Sequence, residues 1–162
     1  MAYRGCEQFV IQDPTVNSAT QNHQLGLIAK IVDPTYGMGE AIYLKGVASC
    51  VVGSFVTYNA DDFSSTLLAA NAIGPVAVAL SACVASEYGW FQITGKAVGK
   101  VSASFADNAN CYATATGGEV DDAVVAGDRV KNCKGASAIG TPSAGLAEME
   151  IAYPFMDDAV AA

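Results

Sequence analysis

The sequence predicts an all-β fold, an antiparallel sandwich or barrel with an extended N-terminal arm, and three observations predict it. First, residues 88–98 alternate with period two around the sole tryptophan, so Trp90, Gln92, Thr94 and Lys96 share one strand face while Phe91, Ile93 and Ala97 share the other. The second face reads as core. Second, residues 74–81 form a short apolar run with no bulky polar side chain, the pattern of a strand covered on both sides. A turn through Ser86, Glu87, Tyr88 and Gly89 lays the two side by side as a hairpin. Third, apolar segments recur at short intervals between Gly-rich turns, which excludes alternating βαβ units. No internal repeat is evident.

In chain order, residues 1–24 are polar, with Gln8, Gln12, Asn17, Gln21 and Asn22 and little periodicity. They read as an extended arm ahead of a β-domain spanning residues 25–162, since so few apolar side chains cannot offset the entropy of ordering them. Residues 25–32 are apolar and β-branched, residues 33–39 are dense in turn formers, and residues 40–47 answer as a second strand. Residues 50–58 read as a third, with Gly53 at a turn or bulge. Residues 63–70 fit either a strand ending or one or two helical turns capped by Asp61 or Asp62. After the central pair, strands are expected at residues 101–105, 111–116, 123–125, 128–134 and 145–153, the last ending at Pro154.

The 162 residues suit one domain, large enough to bury roughly 70% of its unfolded surface. Apolar residues reach 52% but aromatics only 9%, so small side chains fill the space between sheets. No apolar segment reaches the ~18 residues of a membrane helix, and residues 1–7 carry no signal peptide, so the chain is expected to be cytosolic when made. Sixteen carboxylates against eight basic residues give a net charge of −8, which argues against nucleic acid and anionic membranes as partners. The group Arg129, Lys131 and Lys134 could touch a phosphate, but Asp121, Asp122 and Asp128 lie close in sequence and an alternating outer strand face explains it more simply. Five cysteines, Cys6, Cys50, Cys83, Cys111 and Cys133, lack any Cys-x-x-Cys pair and read as small buried hydrophobes in a reduced compartment.

Catalytic and cofactor signatures are missing, so neither an enzyme nor a metal or cofactor is expected. In Gly95-Lys96-Ala97-Val98-Gly99-Lys100-Val101, three residues separate the glycines where a phosphate loop needs four, and Val101 replaces the magnesium-binding hydroxyl. It reads as a strand with a glycine bend. His23, the sole histidine, has no Gly-x-Ser-x-Gly elbow to serve. Glu148 and Glu150 share a strand face, as glycoside chemistry would require, yet a solvated face accounts for them. The Asp pairs 61/62, 121/122 and 157/158 lack the spacing of a calcium loop.

Gly53-x-Phe55-Val56-x-Tyr58, then Gly74-Pro75-Val76-Ala77-Val78-Ala79, then Tyr88-Gly89-Trp90-Phe91-Gln92-Ile93-x-Gly95-x-Ala97 resembles the small proteins that decorate or cement the capsids of tailed bacteriophages. The resemblance spans roughly residues 40–155 in order of features. It implies a β-rich body on the capsid exterior, a homotrimer bridging neighbouring major capsid proteins, made in the host cytoplasm and carried on the virion. Candidate subunit or capsid contacts are Tyr3, Phe9 and Val10 of the arm with Tyr88, Trp90 and Phe91 of the central strand, the last three reading equally well as intramolecular core. Another reading is a carbohydrate-binding or adhesin-like domain at a virion or cell surface, which expects Tyr36, Tyr43 and Tyr112 along one groove. An enzyme would need a pocket gathering Glu148, Glu150 and His23.

Overall fold

A computed structural model describes residues 12–157. They form ten strands and, among the described residues, no helix: β1 (Ile28–Asp33), β2 (Gly37–Lys45), β3 (Phe55–Tyr58), β4 (Ser65–Leu67), β5 (Ile73–Ala79), β6 (Tyr88–Lys100), β7 (Asn110–Ala113), β8 (Val120–Asp121), β9 (Arg129–Gly135) and β10 (Leu146–Asp157). The all-β antiparallel expectation holds. The strands run β1-β2-β6-β5-β10-β9-β7-β8, with β3 joined to β5 and β4 to β3, and the sheet is open rather than closed.

Strands β5, β6 and β10 pair mutually, and that makes the sheet curl on itself. The first half of β6 lies between β2 and the end of β5, while its second half pairs with β10 from Thr94 opposite Ala152 to Lys100 opposite Leu146. β10 then leaves β6 for β5, where Phe155 faces Pro75. The switch coincides with Tyr153 at φ 50° and a register shift between Ile151 and Phe155. A bulge there explains why the strand continues past Pro154, where the sequence predicts its end, because proline is tolerated at a bulge.

The curl lets three apolar clusters form. β5 feeds two of them, Val76 and Val78 into one and Ala77 and Ala79 into the other, as its uninterrupted apolar run predicts. The largest cluster holds Phe55, Phe105, Met149 and Met156; the second holds Ile42, Leu44, Phe91 and Ile93; the third holds Tyr43 and Trp90. Each of the large side chains among them stabilises the fold by roughly 1.5–3 kcal/mol through the apolar surface it removes from water. Gln92, also buried, donates from Nε2 to the carbonyls of Thr94 at 2.9 Å and Lys96 at 3.1 Å. Those bonds brace β6 where its register with β2 slips and Gly95 takes φ 93°, the glycine bend the sequence predicts.

Three expectations are corrected and one open choice is resolved. Residues 101–105 hold only a bridge at Val101 before a turn with Ser104 at φ 74°, because the chain must leave β6 there. Residues 123–125 form no strand; Val124 and Val125 stand 81% and 45% exposed with no neighbouring strand to cover them. The third strand begins only at Phe55, since Gly53 turns the chain at φ 84°. Residues 63–70 resolve to the short strand β4, held antiparallel by β3 with Thr57 opposite Thr66.

Candidate interaction surface

Residues 12–24 run in irregular extended form over the tryptophan face of β6. Gln12 fastens them. Its side-chain Oε1 accepts from the Tyr43 hydroxyl at 2.7 Å and from Asn22 Nδ2 at 3.0 Å, and its Nε2 donates to the carbonyls of Val16 at 2.7 Å and Tyr88 at 3.0 Å. Its main-chain carbonyl accepts from Trp90 Nε1, and its main-chain N–H donates to His23 Nε2 at 3.2 Å. The His23 ring packs 5.1 Å from both the Tyr43 and the Trp90 ring centres. Burial pulls its pKa below the ordinary 6.5, since the charged ring would lose water against two aromatic neighbours. Ser18 adds paired main-chain bonds to Tyr88.

This clamp decides where the candidate contact residues lie. Trp90 and Phe91 have no exposed surface: the first lies under residues 12–24, the second in the cluster between β2 and β5. Their packing is that of intramolecular core. Tyr88 is half-buried and stacks on Tyr43 at 6.5 Å. Tyr3, Phe9 and Val10 lie outside the described residues. The clamping roles of Gln12 and His23 escape sequence reasoning, because a lone glutamine and a lone histidine in a polar segment carry no periodic signal.

Among the exposed apolar side chains, which are spread over the molecule, one pair meets on the outer face of β1 and β2, at one end of the described sheet. Val32 and Met38 face each other in register and are 69% and 62% exposed. On the same face the next rung pairs Lys30 with Glu40, and Glu40 accepts a hydrogen bond from the hydroxyl of Tyr153 on β10, itself 55% exposed. Apolar groups flanked by one opposite-charge rung make a surface suited to a protein partner.

The other candidates are dispersed. Glu148 pairs with Lys96 at 2.5 Å, whose ammonium holds the carboxyl below the usual carboxylate range, and Lys96 also lies 5.2 Å from the Tyr36 ring centre. Glu150 pairs with Lys134 at 3.4 Å and His23 sits in the clamp, so no pocket gathers the three. Tyr43 is fully buried in the third cluster and Tyr112 is buried on β7, so with Tyr36 they line no common groove. Asp62 accepts from Ser64 and pairs with Lys45 at 3.8 Å, Asp122 accepts from the Ala106 N–H, and among the described residues no three His, Cys, Asp or Glu side chains converge as metal ligands. No family model matches this chain, and no curated protein matches it.

Proposed function

We propose that the chain is a structural virion protein that decorates and cements the exterior of a tailed-phage capsid, bridging major capsid protein subunits as a homotrimer. The observation that carries this reading is the outer face of β1 and β2, where Val32 and Met38 hold apolar surface in water beside the Lys30–Glu40 rung. An exposed, paired apolar spot on the terminal strand of a sheet is an aggregation liability unless a partner covers it. The phage-like pattern from Gly53 to Ala97 supports the choice of partner. A trimer bound at several points gains effective concentration, so each contact can be weak. The acidic surface keeps the protein away from nucleic acid in the cytoplasm before assembly.

The test mixes purified chain with capsids that lack it and images them by electron microscopy, alongside a mass measurement of the free protein. Added density on the shell exterior at a symmetry axis, with a trimeric mass, is the expected result. Bare shells at saturating protein refute the reading.

A further inference from the structure

Residues 13–15, the end of β1 with the turn after it, Leu80 and Gln92 enclose a cleft of about 240 Å³ that no part of this reading uses. Its walls are mostly apolar, with Pro14, Ile31 and Leu80 among them, but two carboxylates and an amide line it as well. Asp13 accepts through Oδ1 from the Thr15 N–H at 2.8 Å and the Thr15 hydroxyl at 2.7 Å. Asp33 accepts, also through Oδ1, from the N–H groups of Thr35 at 2.7 Å and Tyr36 at 2.9 Å. Each Oδ2 is left without a partner among the described residues. Gln92 is 5% exposed, and its Nε2 donates to two carbonyls, which fixes the other end of the amide as the acceptor. That Oε1 has no donor among the described residues. Only Ser81 Oγ is there both sealed from water and unpaired, so Gln92 Oε1 keeps contact with open space, and the open space that Gln92 lines is this cleft.

We propose that this cleft binds an arginine side chain, presented by the partner that covers the Val32–Met38 face. Three acceptors without donors, two of them charged, call for a cation rich in N–H groups, and a guanidinium offers its donors in a planar fork and sheds water more readily than an ammonium. The apolar walls take the alkyl stem. The cleft is smaller than the roughly 300–1,000 Å³ of sites for drug-sized ligands, which suits one long side chain. It continues past Thr15 and Gln92 towards Lys96, but that ammonium lies 2.5 Å from Glu148 and leaves the charge of the two aspartates uncancelled. A donor entering the cleft recovers the free energy that the unpaired Gln92 oxygen costs. Val32 itself lines the cleft, so a partner lying on the exposed face reaches it. The partner as source rests on the reading above, whereas the chemistry of the cleft does not.

The test titrates the isotope-labelled full chain with N-acetyl-arginine N-methylamide and follows NMR shifts, in about 0.15 M salt, where attraction between charges more than about 8 Å apart is screened. Saturable shifts should centre on the Gln92 side-chain amide and the main-chain N–H groups of Ile31 and Leu80. The matching citrulline compound, neutral and of nearly the same shape, should bind about tenfold more weakly. The double variant Asp13→Asn, Asp33→Asn keeps both Oδ1 acceptors and with them the fold, and it should also lose arginine affinity by about tenfold. No saturable shift, an equal response to citrulline, or undiminished binding in the double variant overturns the site. Binding that emerges only in the Arg4→Gln chain means that the chain's own Arg4 fills the cleft, and overturns the partner as its source. Bare shells in the capsid experiment beside intact arginine binding sink the capsid reading and leave the cleft standing.

Discussion

The indole Nε1–H of Trp90 donates to the main-chain carbonyl of Gln12 at 3.1 Å, tying the residues before β1 to the first residues of β6, the longest strand among the described residues. Gln12 is only 5% exposed, and the Tyr43 hydroxyl it accepts from is wholly covered. Replacing Gln12 with Ala keeps the main-chain bonds but leaves that hydroxyl without its acceptor and the Tyr88 carbonyl without its side-chain donor. A loss of about 2 kcal/mol in unfolding free energy is expected, the usual size for stranding buried polar groups. Urea denaturation measures it. Hydrogen exchange should show residues 12–24 losing protection while β6 and β10 keep theirs.

The same clamp makes stability depend on pH through His23. Its Nε2 accepts from the Gln12 N–H, and a protonated ring would turn that acceptor into a donor facing a donor. Burial lowers the folded pKa below 6.5, so the unfolded chain takes up the proton first on acidification. The clamp's contribution is therefore complete above pH 6.5 and is lost as pH falls through the lowered folded value. The groups facing the ring are Tyr43 of β2 and Trp90 of β6, neither of which titrates in that window. Denaturation midpoints between pH 8 and pH 5.5 should fall for the native chain and much less for His23→Gln, with an NMR titration of the sole histidine reporting the lowered value directly. Equal slopes for the two chains would remove His23 from the account.

What the sequence makes legible follows the range of the forces involved. Period-two alternation and the apolar run at β5 depend only on near neighbours along the chain, so the strands and the double burial of Val76 to Ala79 could be read directly. Residues 101–105 alternate equally well but find no partner strand, because pairing is decided by where β6 and β10 run rather than by local pattern. The clamp was illegible for a related reason. Gln12 and Trp90 are 78 residues apart, and a single hydrogen bond across that distance leaves no trace in composition or spacing. The proposed contact face was hidden too, since the aromatic residues that mark partner surfaces in general are here spent inside the chain at Trp90 and Phe91.

Gly46 tests how closely the loops after β2 and β5 are packed. A Cβ at this position would lie 2.2 Å from the Val84 carbonyl oxygen and 2.5 Å from that of Cys83, and both are main-chain atoms. The Gly46 N–H already donates to Glu87 O at 2.8 Å and the Val47 N–H to Cys83 O at 3.1 Å, so neither strand of the contact can retreat without breaking a bond. Gly46→Ala should destabilise the fold by about 2 kcal/mol or more, the upper range for overpacking. Thermal unfolding reads this. Gly140→Ala, at φ 100° but with open space around the added methyl, should lose less, about 1 kcal/mol, because only backbone strain opposes it.

Val32 and Met38 separate the proposed function from a merely stable β-domain. Both stand in water on the outer face of β1 and β2, so neither supports the core, and replacing both with Glu should alter folding stability by no more than about 0.5 kcal/mol. The same pair of charges placed against an apolar partner surface would have to be desolvated without a counter-charge, which weakens association by about tenfold or more, equivalent to about 1.4 kcal/mol. Truncation of residues 1–11 is the companion experiment, because it spares the Gln12 clamp and keeps Trp90 covered, whereas a cut at residue 20 would uncover the indole and confuse binding with folding. Shell occupancy by the Val32→Glu, Met38→Glu chain, measured by co-sedimentation with capsids, should fall while its denaturation curve overlays the native one. Undiminished occupancy would place the contact elsewhere on the molecule and strip the β1–β2 face of the role argued for it.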